Sequence, residues 1–271
     1  MNTNHRLLSL TVMATTMCAT LYAVGSYTTS FIESPWGVGQ FRPAVIIPSL
    51  FAVIFGSVPA GVGAALGTLI ADSVKHGYLY PGSYLASVPG NFIGFFLFGY
   101  IVKKFNWSRF ILASHITLTL ANFIVAVLYV LVYKIMYAND PKYLAFSSQA
   151  LIVYILGLTI WWFVTMLPFV LLVTPVLIRA VAYATPSVVP EDVRIHGLNE
   201  ELPEKTFSMA ILIPGLVMLT VGLLLQFTSL GSQMDSFFGS VTFTLILWMF
   251  YISGAALTLI GLFVRLKGFK K

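Results

Sequence analysis

Three observations predict an all-α polytopic membrane bundle. Of the 271 residues, 58% are hydrophobic and only 9% are charged, whereas soluble domains need roughly 25% charge to dress a surface that faces water. The apolar residues fall in long runs broken by Pro, Gly and charges. The basic residues gather at alternate connections between those runs. At about 20 residues per crossing, this length holds about eight helices and leaves no room for a sizeable aqueous domain.

The runs lie at 7–32, 43–58, 60–75, 88–104, 108–138, 148–184, 207–230 and 237–266. The first follows Met1–Arg6, is longer than a signal-peptide core and lacks a cleavage site, so a retained helix is expected. The second and third are short and joined by Gly56-Ser57-Val58-Pro59, which predicts a tight hairpin. The fourth carries Gly90 and Gly94. The fifth carries His115 and Asn122, which read most simply as interhelical hydrogen-bonding groups. The sixth exceeds what a bilayer needs, and Pro168 and Pro175 predict a kink or an extension past Arg179. Thr185–Thr206, polar and holding Pro186, Pro190 and Pro203, reads as a cytoplasmic linker. The last two runs form a terminal pair. The expected organisation is a six-helix bundle at 1–184, a linker at 185–206 and a membrane hairpin at 207–271.

With the N-terminus in the cytoplasm, Arg42, Lys75, Lys134 and Lys142 fall outside and the rest of the fifteen Lys and Arg fall inside. That bias predicts an even number of crossings, both termini cytoplasmic, and a multi-pass protein of the cell membrane with lipid as its solvent. The net charge of +6 therefore reports topology and no nucleic-acid partner. Cys18 is the single cysteine, which excludes an intrachain disulfide. Asn106-Trp107-Ser108 matches a glycosylation acceptor but lies in a loop assigned to the inside.

No Walker loop, His-Glu-x-x-His or cysteine pair occurs, so no catalytic residue, cofactor or metal site is expected and the chain does not read as an enzyme. Polar groups at membrane depth are costly unless paired or used. They collect at the outer ends of the runs: Gln40 and Arg42 before the second, Asp72, Lys75, His76 and Tyr84 at and after the end of the third, Asn91 in the fourth, Trp161 in the sixth. Together they suit a pocket for a small-molecule substrate, and charges of both signs beside aromatics suit a flat polar ring or a zwitterion. Plainer readings stand beside this one. Tyr78, Tyr80, Trp161 and Trp162 fit an interfacial belt, Asp72 and Lys75 fit an i,i+3 pair, and Arg42 fits a snorkelling cation.

Small residues recur at helical spacing as Ala19/Ala23, Gly63/Gly67 and Gly90/Gly94, which lets another helix approach closely. Taken in order, residues 7–184 resemble the substrate-binding S component of energy-coupling factor (ECF) vitamin transporters. The resemblance runs through Ala-x-x-x-Ala at Ala19 and Ala23, Phe41-Arg42-Pro43-Ala44 leading to Pro48, Phe55-Gly56 at a turn, and Ile70-Ala71-Asp72. It continues through Pro81-Gly82, Gly90-Asn91-Phe92-Ile93-Gly94 and Gly99-Tyr100. It implies a bundle that captures a vitamin or similar micronutrient at its outer face, docks through Ala19 and Ala23 on a transmembrane coupling subunit, and draws energy from two ATPase subunits. The terminal pair departs from the six-helix pattern. The alternative is an accessory or structural subunit of a larger membrane complex; an intramembrane enzyme using Asp72 with His76 or His115 is a third reading.

Overall fold

A backbone with no water around it must satisfy its own N–H and C=O groups, and a helix does so within one segment. The computed structural model describes residues 3–35, 39–136 and 148–267. They form α1 (Thr3–Thr29), a 3-10 turn (Pro43–Val45) leading into α2 (Ile46–Phe55), α3 (Ser57–His76), a π turn (Ser83–Ser87) leading into α4 (Val88–Ile101), α5 (Trp107–Met136), α6 (Ser148–Ala184), α7 (Glu191–Asn199), α8 (Glu204–Phe227), α9 (Ser229–Phe238) and α10 (Ser240–Lys267). No strand element occurs among the described residues. Lys142 lies outside them.

Seven of these helices are long and apolar enough to cross a bilayer. The segment expected at 43–58 is shorter: a three-residue 3-10 turn and a ten-residue helix extend only about 20 Å, against a hydrocarbon core of about 30 Å. Gly56 is the reason. Its φ of +85°, with ψ of −168°, is open essentially only to glycine. It ends α2 and lets α3 begin at the next residue, so the expected four-residue turn contracts to one. Gly77, with φ +76°, closes α3 in the left-handed conformation, its N–H bonding to the Ser73 carbonyl. α6 runs unbroken through Pro168 and Pro175.

The chain divides into two compact units, Met1–Ile32 with Gln40–Glu200, and Glu33–Gly39 with Glu201–Lys271. In the first, α1 and α3 lie side by side and parallel. Cys18 meets Gly63, Tyr22 meets Gly67, and Lys75 donates to the Ser30 carbonyl at 2.7 Å, each pair 45 residues apart. A Cβ at Gly63 would sit 2.7 Å from the Cys18 sulfur and one at Gly67 2.8 Å from the Ala19 carbonyl oxygen, so this approach requires glycine. α4 packs on α5 in the same manner, with Gly90 and Gly94 against Val125 and Ala121, and Gly99 fits against the backbone of Ser57.

That register corrects the docking face. Ala19 and Ala23 are buried, 5% and 6% exposed, on the side of α1 that meets α3, and offer no surface to a partner chain. The spacing that permits close helix approach is used inside the unit. The opposite side of α1, with Val12, Met13, Met17, Leu21 and Val24, is the exposed one.

The expected linker is also corrected. Residues 185–200 belong to the first unit, and within them α7 is anchored from both sides. The Phe105 N–H donates to the Asp192 carboxylate at 2.7 Å, the Trp107 indole to the His196 carbonyl at 2.9 Å, and Arg179 to the Gly197 and Glu200 carbonyls at 3.0 and 3.1 Å. The Arg179 guanidinium also lies over the Trp107 ring. Asn106 caps α5 by accepting from the Arg109 N–H, and Trp107 is buried, so the Asn-Trp-Ser triplet serves a helix start.

In the second unit α8 and α10 are antiparallel and very close. Gly215 faces Thr258 and Gly254, and Gly261 faces Leu212. The outward sides, including Leu216, Leu223, Trp248 and Ile252, are exposed and apolar, as a lipid-facing pair requires.

Candidate functional site

The helices of the first unit alternate in direction, which brings residues 29–32, 40–46 and 76–88 and the start of α6 to one end, called here the outer end after the charge bias. Most of the sequence-predicted site residues converge there. Arg42 precedes the 3-10 turn, and α3 turns Thr68 and Asp72, one helical turn apart, toward it. The Arg42 guanidinium is paired with the Asp72 carboxylate, donates to Gln40 Oε1 at 3.2 Å, and reaches Thr68 Oγ1 at 3.5 Å. Asn91 of α4 donates to the same Thr68 oxygen at 2.9 Å. Arg42 is 8% and Asp72 3% exposed; neither snorkels. Desolvation works against the Arg42 charge, but Asp72, helped by the Tyr22 hydroxyl, outweighs it and raises the guanidinium pKa above its ordinary value.

Two further groups complete the cluster. Trp162 of α6 donates its indole N–H to the Gln40 carbonyl at 3.1 Å, tying the 40–42 segment to the bundle. Tyr22 of α1 is fully buried and its hydroxyl lacks a hydrogen-bond partner, although it sits close enough to Arg42 to influence its charge. Buried hydroxyls without partners are rare and call for an explanation. Ser26, one turn further along α1, and Ser83 are in the same condition.

The other predicted residues stand at this end but outside the hydrogen-bonded cluster. Lys75 turns to the Ser30 carbonyl at the end of α1, while Asp72 takes Arg42 as its ion-pair partner. His76 donates from Nδ1 to the Asp72 main-chain carbonyl at 2.7 Å and stacks flat on Tyr80, ring centres 3.8 Å apart. Tyr80 in turn bonds the hydroxyls of Tyr129, at 2.7 Å, and Tyr133 of α5. Burial pushes the Tyr80 phenol well above the usual range. Tyr84 is 40% exposed and faces outward, as a belt aromatic does. The Trp161 indole is buried without a partner, and its neighbour Trp162 holds the loop instead. His115 bonds to the Ile111 carbonyl of its own helix, while Asn122 reaches Met166 across to α6, as the interhelical reading expected of it.

Thr68, Tyr22 and Trp162 complete the cluster beyond the predicted residues. Thr68 carries a signal in retrospect, since it lies one helical turn before Asp72 on the same face. Two clefts of about 400 Å³ each lie at the opposite, inner end. They share Ile54, Phe55 and Pro190, and their walls are mainly apolar. Asp192, which lines one of them, is already engaged by Phe105. No group of three or more His, Cys, Asp or Glu able to hold a metal occurs among the described residues.

Chemically, the outer cluster is a hydrogen-bonding and charge-pairing site. It holds one cation, one anion and several neutral donors and acceptors, sealed among apolar helices. No family model, curated protein or solved structure matches this chain.

Proposed function

We propose that the chain is the substrate-capture subunit of a membrane importer of the energy-coupling factor kind, holding a small polar micronutrient at the outer end of its first unit. The observation that supports this reading is the polar cluster itself: Arg42, Asp72, Gln40, Thr68 and Asn91 are gathered from a loop and two helices, beside the unpartnered Tyr22 hydroxyl. Removing two charges from water costs several kcal/mol per ion even after relaxation. An apolar core of similar volume packs as well or better, so a bundle that needed only stability has no use for the pair. On this reading a coupling subunit and ATPase subunits supply the energy, and docking uses a surface other than Ala19 and Ala23.

One observation favours the second reading, an accessory subunit of a larger membrane complex: Arg42 and Asp72 satisfy each other. Native mass spectrometry of full-length protein, extracted from its membrane without added solute, separates the two. Capture requires a small-molecule adduct that disappears in Arg42→Ala. Bare protein in both samples, together with thermal stability unmoved by any solute, refutes capture and leaves the accessory role.

A further inference from the structure

Resting on the capture reading above, we infer that the site takes a small zwitterion, a carboxylate and an ammonium group on one molecule, which binds by parting Arg42 from Asp72 and pairing with each.

Charge conservation carries the argument first. Arg42 and Asp72 are both more than nine-tenths buried, and the other members of the cluster, Gln40, Thr68 and Asn91, are neutral. A molecule with one charge would satisfy one of the two residues and strand the other, the costliest arrangement available to a buried ion. A zwitterion exchanges one internal pair for two external ones, and no charge is left alone.

Unused hydrogen-bonding capacity points the same way, and it is polarised. A guanidinium has five N–H groups; Arg42 directs bonds to Gln40, Asp72 and Thr68. The buried Tyr22 hydroxyl beside it can only accept from the guanidinium, so its own O–H is left to donate. Spare donors therefore sit on the Arg42 side, where an incoming carboxylate needs them. Asp72 accepts one side-chain bond, through Oδ1, and a carboxylate offers about four acceptor positions. Spare acceptors therefore sit on the Asp72 side, where an ammonium group needs them. Neither Lys75 nor His76 spoils this balance, since Lys75 is drawn to the Ser30 carbonyl and His76 donates to the Asp72 main chain. Entry requires the 40–42 segment to lift, which parts, besides the Arg42 side-chain bonds, the Trp162 bond to the Gln40 carbonyl, the Phe41 N–H bond to the Ile32 carbonyl and the edge contact of the Phe41 ring with Phe169.

The test uses full-length protein in detergent and three probe pools at equal concentration: the L-α-amino acids, their N-acetyl derivatives (anions) and their carboxamides (cations), read by the shift in unfolding temperature. Any molecule released from the protein on denaturation is identified by mass spectrometry. The inference expects the intact amino acids alone to stabilise the protein, or a co-purified molecule bearing both charges. It further expects Asp72→Asn to invert the preference, so that the N-acetyl pool binds at least tenfold more tightly than the intact one. An equal or larger shift with either modified pool, or a co-purified molecule lacking one of the charges, overturns the zwitterion and leaves capture standing. No shift and no co-purified molecule overturns capture and the zwitterion together. If Asp72→Asn does not fold, the wild-type comparison of the three pools decides.

Discussion

Arg42 and Asp72 can be tested as a pair with a double-mutant cycle. Replacing Asp72 by Leu leaves a guanidinium, over nine-tenths buried, with only the neutral Gln40 and Thr68 oxygens for company. Breaking a buried pair from one side costs about 3–5 kcal/mol, because an uncompensated charge remains. Arg42→Met leaves the carboxylate instead and costs a similar amount at pH 8. In the double variant two apolar side chains of roughly matching volume replace the pair, and the loss should be within about 1–2 kcal/mol of wild type. The cycle therefore expects a coupling energy of about 3 kcal/mol or more, measured by unfolding the full-length protein in mixed micelles of rising denaturing-detergent fraction. Additivity of the single losses to within about 0.5 kcal/mol would refute the view that the two charges compensate each other in a dry site.

Four other outcomes follow from the packing. Gly99→Ala places a Cβ 2.6 Å from the Ser57 backbone, where nothing flexible can yield, and should cost about 2–3 kcal/mol in the same unfolding assay. Ala19→Leu with Ala23→Leu should destabilise the isolated chain by about 1–3 kcal/mol; a variant of wild-type stability would return those alanines to an outer docking face. Arg179→Ala removes the bonds to the Gly197 and Glu200 carbonyls and should raise hydrogen exchange across α7 about tenfold, a local opening worth about 1.4 kcal/mol. Since burial holds the Tyr80 phenol protonated well past its ordinary range, wild type and Tyr80→Phe should give the same ultraviolet tyrosine titration up to about pH 11; a smaller absorbance step in the variant would show the phenol to be wet.

Hydropathy and punctuation made the helices legible, because a segment in hydrocarbon must close its own hydrogen bonds whatever it packs against. The same local logic placed Arg42 near Asp72: a short turn at Gly56 makes α2 and α3 antiparallel neighbours, and one residue begins the first as the other ends the second. What spacing could not convey was rotation about a helix axis. Trp161 and Trp162 differ by about 100° around α6, and packing alone selects Trp162 to hold the Gln40 carbonyl. Ala19 and Ala23 advertise a close approach without naming the approaching helix, which the register of Gly63 and Gly67 supplies. α7 was illegible for a related reason. Its own sequence is polar and short, and it is pinned by a main-chain N–H at Phe105, an indole at Trp107 and a guanidinium at Arg179, the first two contributed from a distant part of the chain. Thr68 was hidden because threonines in helices ordinarily bond their own preceding turn, and only the meeting of α3, α4 and the 40–42 segment turns its hydroxyl into the acceptor that joins Asn91 to Arg42.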